Sequence, residues 1–140
     1  MPHDFKKFPE LTNSQLDFYY FDSPHKQITE DFMAKVIKVT DGDTIRVETD
    51  FREFDFPIRF FNTASPEIDE DGGKESQRWL SNRILGKDVE VLMDEKNRVG
   101  KWGRLLGKII FEGININQES IDRGFSIPFD NIEVNEWEFQ

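Results

Sequence analysis

The sequence predicts a small α+β domain that is mainly β: five strands closed into a barrel, with two to three helices. Three observations predict it. Short apolar runs suited to strands recur between residues 32 and 112, and two of them, 43–49 and 54–61, alternate apolar and polar residues with a period of two. Turn pairs such as Asp41-Gly42 separate those runs. One amphipathic stretch with helical spacing, residues 74–85, interrupts them between the third and the fourth.

Each element has its own warrant. Residues 1–31 read as irregular, because Pro2, Pro9 and Pro24 break helices. Phe18-Tyr19-Tyr20-Phe21 is too aromatic for a free tail, so this segment packs on the domain or docks on a partner, with packing favoured. Within it, residues 15–21 suit a short strand or helix. The first strand runs from Phe32 to Thr40 and carries Val36, Ile37 and Val39. Asp41-Gly42 turns it into a second strand, residues 43–49, with Ile45 and Val47 on one face. After a turn at 50–53, Phe54, Phe56, Ile58 and Phe60 form an apolar face, and Arg59 points away from it. An acidic, Gly-containing loop fills 68–73. A helix follows over 74–85, with Trp79, Leu80, Ile84 and Leu85 near one stripe and Gly86 as its stop. Val89 to Met93 is the fourth strand, and Arg104 to Glu112 the fifth. Asn117 is placed to cap a short helix that stops at Gly124. Five strands with a helix between the third and fourth suit a closed barrel of the OB type, in which closure removes exposed edges.

The expected organisation is an aromatic N-terminal extension over 1–31, the barrel over 32–128 and an acidic tail over 129–140. At 140 residues the chain holds one domain. No stretch is long and apolar enough for a membrane helix, and no signal peptide is visible at the start, so the reading leans to an intracellular protein. The absence of cysteine excludes disulfides and thiolate metal sites. His3 and His25 match no ligand spacing. The net charge of −10 argues against a general nucleic-acid-coating protein. The charge is uneven, however. Lys96, Arg98, Lys101, Arg104 and Lys108 form a strip without an acid, which reads as the landing place for a polyanion.

Chemistry concentrates in three places. Asp41-Gly42-Asp43-Thr44 supplies a carboxylate pair, Pro66-Glu67 an acid after a strand, and Arg59 and Arg104 two guanidinium groups. Carboxylates hold a hard cation, and arginine forks stabilise the charge of a phosphodiester under attack. Either kind alone would repel the substrate or bind it without hydrolysis.

The order and spacing of these segments resemble the staphylococcal nuclease family. The resemblance runs from about Ala34 to Ser126 and includes the segment from Val36 to Thr44, Ile58-Arg59, Ser65-Pro66-Glu67 and Lys101-Trp102-Gly103-Arg104. Asn115 to Gln118 and Arg123-Gly124-Phe125 match its later helix. The resemblance implies an OB-fold barrel that hydrolyses phosphodiesters of DNA or RNA, usually with calcium. It implies that Asp43 is a direct metal ligand, Asp41 a supporting acid, and Glu67 the residue that positions or deprotonates the attacking water. Arg59 and Arg104 would grip the phosphate, with Lys101 and the stacking aromatic Trp102 beside it. The expected substrate is flexible or single-stranded nucleic acid.

One position departs from the pattern. Where the family places a second aspartate ligand, two residues before the Pro-Glu pair, this chain has Ala64. Fewer anionic ligands weaken metal binding. Asn62 on the same strand face, or Asp69 or Asp71 from the loop, is a candidate replacement. Two other readings stay open: a catalytically inactive barrel that serves as a module in a larger assembly through its terminal segments, and a nucleic-acid binder without hydrolysis.

Overall fold

The computed structural model describes residue 5 and residues 9–94, 96–100 and 104–128. Five strands make the barrel: β1 (Phe32–Asp41), β2 (Thr44–Thr49), β3 (Arg52–Phe60), β5 (Asp88–Leu92) and β6 (Leu105–Phe111). Two two-residue strands, β4 (Thr63–Ala64) and β8 (Ile127–Pro128), pair with each other beside it, and β7 (Ile114–Asn115) pairs antiparallel with the end of β6. The order is β3-β2-β1-β5-β6, and a parallel pairing of β3 with β6 closes the ring. The expected closed five-stranded barrel is therefore observed.

Closure places Ile58 opposite Leu105 and Arg59 opposite Leu106. Val36, Ile45, Val47, Phe56, Ile58, Phe60, Val91, Leu105 and Ile109 point inward and are buried. Each such side chain contributes on the order of 1.5–3 kcal/mol relative to exposure. Asn117 locks the closed edge from within. Its Oδ1 accepts from the Ile109 N–H at 3.1 Å, and its Nδ2 donates to the carbonyls of Phe61 at 3.1 Å and Gly107 at 3.2 Å. Asn117 is thus an interior clamp. The cap of the last helix, α3 (Ile116–Asp122), is Asn115, whose Oδ1 accepts from the Gln118 N–H at 3.1 Å. Phe54 also departs from its expected face. The register shift between Val47 and Thr49 leaves Glu53, Phe54 and Asp55 opposite Glu48 alone, the strand bows, and Phe54 is 39% exposed.

Helix α2 (Gly73–Ile84) buries Leu80 and Ile84 against the barrel, and Trp79 stacks on Phe125 with ring centroids 5.2 Å apart. Leu85 is the C-cap and is exposed, followed by Gly86 at a φ of 80°.

Residues 9–31 reach the barrel through Glu10 and Ile28, but the aromatic run expected to pack does not follow them: Tyr20 is 50% and Phe21 96% exposed. The segment contains helix α1 (Asn13–Tyr19), opened by a capping box in which Thr12 and Gln15 satisfy each other's backbone. Leu11 is fully buried, and Ile28 joins the core. Glu10 sits between two arginines. One of its oxygens pairs with Arg52, and the other accepts from Arg98 Nη2 at 3.1 Å and from the Ile28 N–H at 3.1 Å. Buried charges need this kind of pairing and hydrogen bonding. Arg98 is only 3% exposed, so the basic strip expected from 96–108 is not one surface: its second cation is turned inward. Among the described residues no helix is long and apolar enough to cross a membrane.

Candidate active site

The β1–β2 turn brings Asp41 and Asp43 together. Gly42 is required there, because a Cβ at that position would lie 1.9 Å from Ser76 Oγ on α2. The turn is fastened by the Asp43 N–H, which donates to Asp41 Oδ1 at 3.1 Å. Thr44 then pairs with Arg59 across the β2–β3 ladder. Asp43 immediately precedes Thr44 at the head of β2, and Arg59 Nη1 lies 2.6 Å from its Oδ2. Arg59 Nη1 also donates to the Thr63 carbonyl at 3.3 Å.

Asp43 is buried and fully engaged. Its Oδ2 accepts from the Ser65 N–H at 2.9 Å, and its Oδ1 from the Thr44 hydroxyl at 2.9 Å. Burial works against its charge. A hydrogen bond from Asp41, the Arg59 guanidinium, the Ser65 N–H and the Thr44 hydroxyl outweigh that cost and hold its pKa below the usual value. Asp41 shows the opposite balance. Burial first, then the adjoining Asp43 carboxyl and the charge of Glu67, push its pKa up to about 7. The three acids therefore share one electrostatic neighbourhood, although Glu67 itself is exposed.

Glu67 is held through its backbone. Its N–H donates to Glu70 Oε1 at 2.7 Å, and its carbonyl accepts from the Glu70 N–H at 2.9 Å. Gly73, at the start of α2, packs so closely that a Cβ would meet the Glu67 carbonyl oxygen at 1.8 Å. Arg104 directly precedes Leu105, which faces inward opposite Ile58. Alternation puts Arg104 on the outer face, one step along the sheet from the Thr44–Arg59–Leu106 row. Both arginines therefore share a barrel face, and among the described residues no carboxylate pairs with Arg104.

The remaining candidates are distributed differently. Asn62 lies exposed in the turn between β3 and β4 at a φ of 52°, and the hydrogen bonds on Asp43 come from Thr44 and Ser65 instead. Ala64 pairs with Ile127 in the short β4–β8 ladder. Its side chain is inert, but the ladder presents the next residue, Ser65, whose N–H reaches Asp43. Asp69 and Asp71 are exposed in the acidic loop. Lys101 and Trp102 lie outside the described residues. Ser65 and Thr44 are site residues that sequence reasoning quoted without giving a task. The signal available was their adjacency to Pro66 and Asp43.

The donor set suits a hard cation in kind. Two carboxyl groups are held against each other, and a divalent charge would offset both the burial and the neighbouring carboxyl charge that raise Asp41. It is sparse, since among the described residues no three His, Cys, Asp or Glu side chains group to hold a metal. Calcium takes roughly six to eight oxygens, so carbonyls and water would supply most of them.

Comparison with known proteins agrees with this geometry. The model for the family described as staphylococcal nuclease homologue matches residues 57–137, from β3 onward. A protein of Escherichia coli named as an uncharacterized endonuclease is 35% identical over 95 residues, covering 67% of this chain and 59% of the relative. An uncharacterized endonuclease of Haemophilus influenzae is 27% identical, over 66% of this chain and 50% of its own length. An uncharacterized protein of Bacillus anthracis is 29% identical, over 70% and 48%. The chain thus spans between about half and three-fifths of the length of these curated relatives. With the closed barrel, the Asp43–Arg59 pair and the family match in agreement, the chain belongs to the staphylococcal nuclease homologue family.

Proposed function

We propose that this protein is a metal-dependent nuclease, with calcium the expected ion, that hydrolyses phosphodiester bonds of flexible or single-stranded DNA or RNA. The observation that carries the reading is the Asp43–Arg59 pair at 2.6 Å, with the Asp41 carboxyl and the charge of Glu67 beside it. Metal-ligating and phosphate-gripping groups meet there, as hydrolysis of a phosphodiester needs. The endonuclease names of two of the relatives favour catalysis over an inert barrel.

In this reading Asp43 and Asp41 would hold the ion. When bound, it supplies positive charge that offsets the charge gathering on the phosphate. The chain's own residues do the rest. Arg59 and Arg104 present guanidinium donors from one barrel face and hold the phosphate by paired hydrogen bonds. Glu67 accepts a proton from water as the water oxygen bonds to phosphorus. One ester P–O bond breaks, and the departing oxygen takes up a proton. Donors fixed in place before the reaction stabilise the transition state without reorganising.

The reading is tested by incubating the protein with heat-denatured DNA in millimolar calcium, in magnesium, in manganese and in chelator. Cleavage that requires a divalent ion is expected. Intact DNA in all three metals, with single-stranded RNA left intact as well, would overturn the reading. Calcium titration of Asp43→Asn tests the ligand, with binding expected to be lost.

A further inference from the structure

We propose that the N-terminal segment is a working part of the phosphate-binding site, because Glu10, acting through Arg98, sets the position of Arg104. The proposal rests on the assignment of Arg104 to the phosphate. It makes Glu10 and Arg98 positioning residues for the reaction, neither of which touches substrate.

The connection can be followed bond by bond. The Arg98 guanidinium is wrapped by the N-terminal segment. Its Nε donates to the Ile28 carbonyl at 2.8 Å, and its Nη1 to the Leu11 carbonyl at 2.8 Å and to Asn13 Oδ1 at 3.2 Å. Its Nη2 meets Glu10 Oε2 at 3.1 Å. Glu10 in turn is fixed by Arg52 on β3 and by the Ile28 N–H. On the other side, the backbone of Arg98 leads straight to the site. The Leu106 N–H donates to the Arg98 carbonyl at 2.8 Å, Val99 bridges Leu105, and the Gly100 N–H donates to the Arg104 carbonyl at 2.8 Å. Arg104 is therefore the last rung of a short ladder whose first residue is bolted to residues 10–28.

A multiply bonded buried guanidinium is a rigid anchor, whereas surface arginine is not. At Leu105 and Leu106 β6 pairs with β3 on one side and with Arg98 and Val99 on the other, and β5 joins it only from Lys108 onward. What the anchor adds is fixation of the approach to β6, where Arg104 sits. Fixing a phosphate-binding group matters, because a misplacement of about 1 Å can cost on the order of 100-fold in rate.

The test is a double-mutant cycle in the full chain, read by cleavage of a labelled single-stranded oligonucleotide. Glu10→Gln is expected to lower kcat on the order of 10- to 100-fold with Arg104 present, and to change it little in an Arg104→Ala background. An equal fall in both backgrounds means that Glu10 only supports the fold, and overturns the proposal. Hydrogen exchange supplies a readout independent of activity. In Glu10→Gln the Gly100 and Leu106 amides should exchange faster, while the Val36 amide, bonded to the Lys87 carbonyl at 3.0 Å, should not. Unchanged exchange at Gly100 and Leu106, or uniformly faster exchange, also overturns it. If Glu10→Gln does not fold, Asn13→Ala removes one bond from Arg98 and must shift the same amides and the same rate in the same direction, by less. If the wild-type protein cleaves nothing, the nuclease reading fails, and the exchange measurement alone decides whether Glu10 governs the Arg104 backbone.

Discussion

Arg59 Nη1 lies 2.6 Å from Asp43 Oδ2, so in the structure a phosphate-gripping candidate and a metal-ligand candidate neutralise each other. The pair is largely buried, where charge-assisted contacts are strong. A phosphate and a cation entering together would replace both partners at once, which keeps either from being left uncompensated. Arg59→Ala and Arg104→Ala should each lower kcat by roughly 100- to 1,000-fold, in the range measured for loss of a fixed donor to a developing oxyanion. Steady-state kinetics with far-ultraviolet circular dichroism would check this, and normal rates in both variants would misplace the site.

Glu10 joins two buried arginines, so removing it strands two cations. Glu10→Ala should destabilise the protein by about 3–5 kcal/mol, the cost of breaking a buried pair by deleting one partner. Urea denaturation gives the number. A loss below about 1 kcal/mol would mean that the cluster is hydrated like a surface pair.

Gly73 is where α2 presses on the Glu67 carbonyl oxygen, at 1.8 Å from an added Cβ. Backbone oxygen cannot rotate aside as a side chain can. Gly73→Ala should therefore cost about 1–3 kcal/mol, in the range of other overpacking substitutions, and should lower the rate by shifting Glu67. Thermal melts and kinetics on the same sample separate the two effects.

His25 should leave a mark on the pH dependence of stability. Burial lowers its pKa below 6.5, against the opposing pull of the Pro9 carbonyl, which lies 2.8 Å from its Nε2. The unfolded chain therefore takes up this proton first as pH falls. Its contribution is fully present above pH 6.5 and is lost as pH drops through 6.5 toward the lower folded value. His25→Gln should flatten the stability curve in that window. An unchanged slope between pH 7 and pH 5 would remove His25 as its source.

The barrel was legible because its signals are local. The apolar run in 32–41, the alternation in 44–49, the Asp41-Gly42-Asp43 turn and the 74–85 stripe each depend on neighbours a few residues apart. Arg98 was not legible. Within its own sequence it is one base in a strip, and its burial depends on Glu10, 88 residues away. The sequence places the cap at Asn117, whereas the structure caps α3 with Asn115 and turns the second asparagine inward. Only the β3–β6 closure shows that the second must bond Phe61 and Gly107. The role of Ser65 was hidden because it acts through its backbone N–H, which every residue but proline offers.

The most direct measurement is the rate at which wild-type protein and Glu67→Gln cleave heat-denatured DNA in millimolar calcium. The variant keeps the size of the side chain and the backbone bonds that place it, while removing the proton acceptor. The account predicts calcium-dependent cleavage by the wild type and a fall of roughly 100-fold or more in a fully folded variant. Equal rates for the two proteins would contradict it.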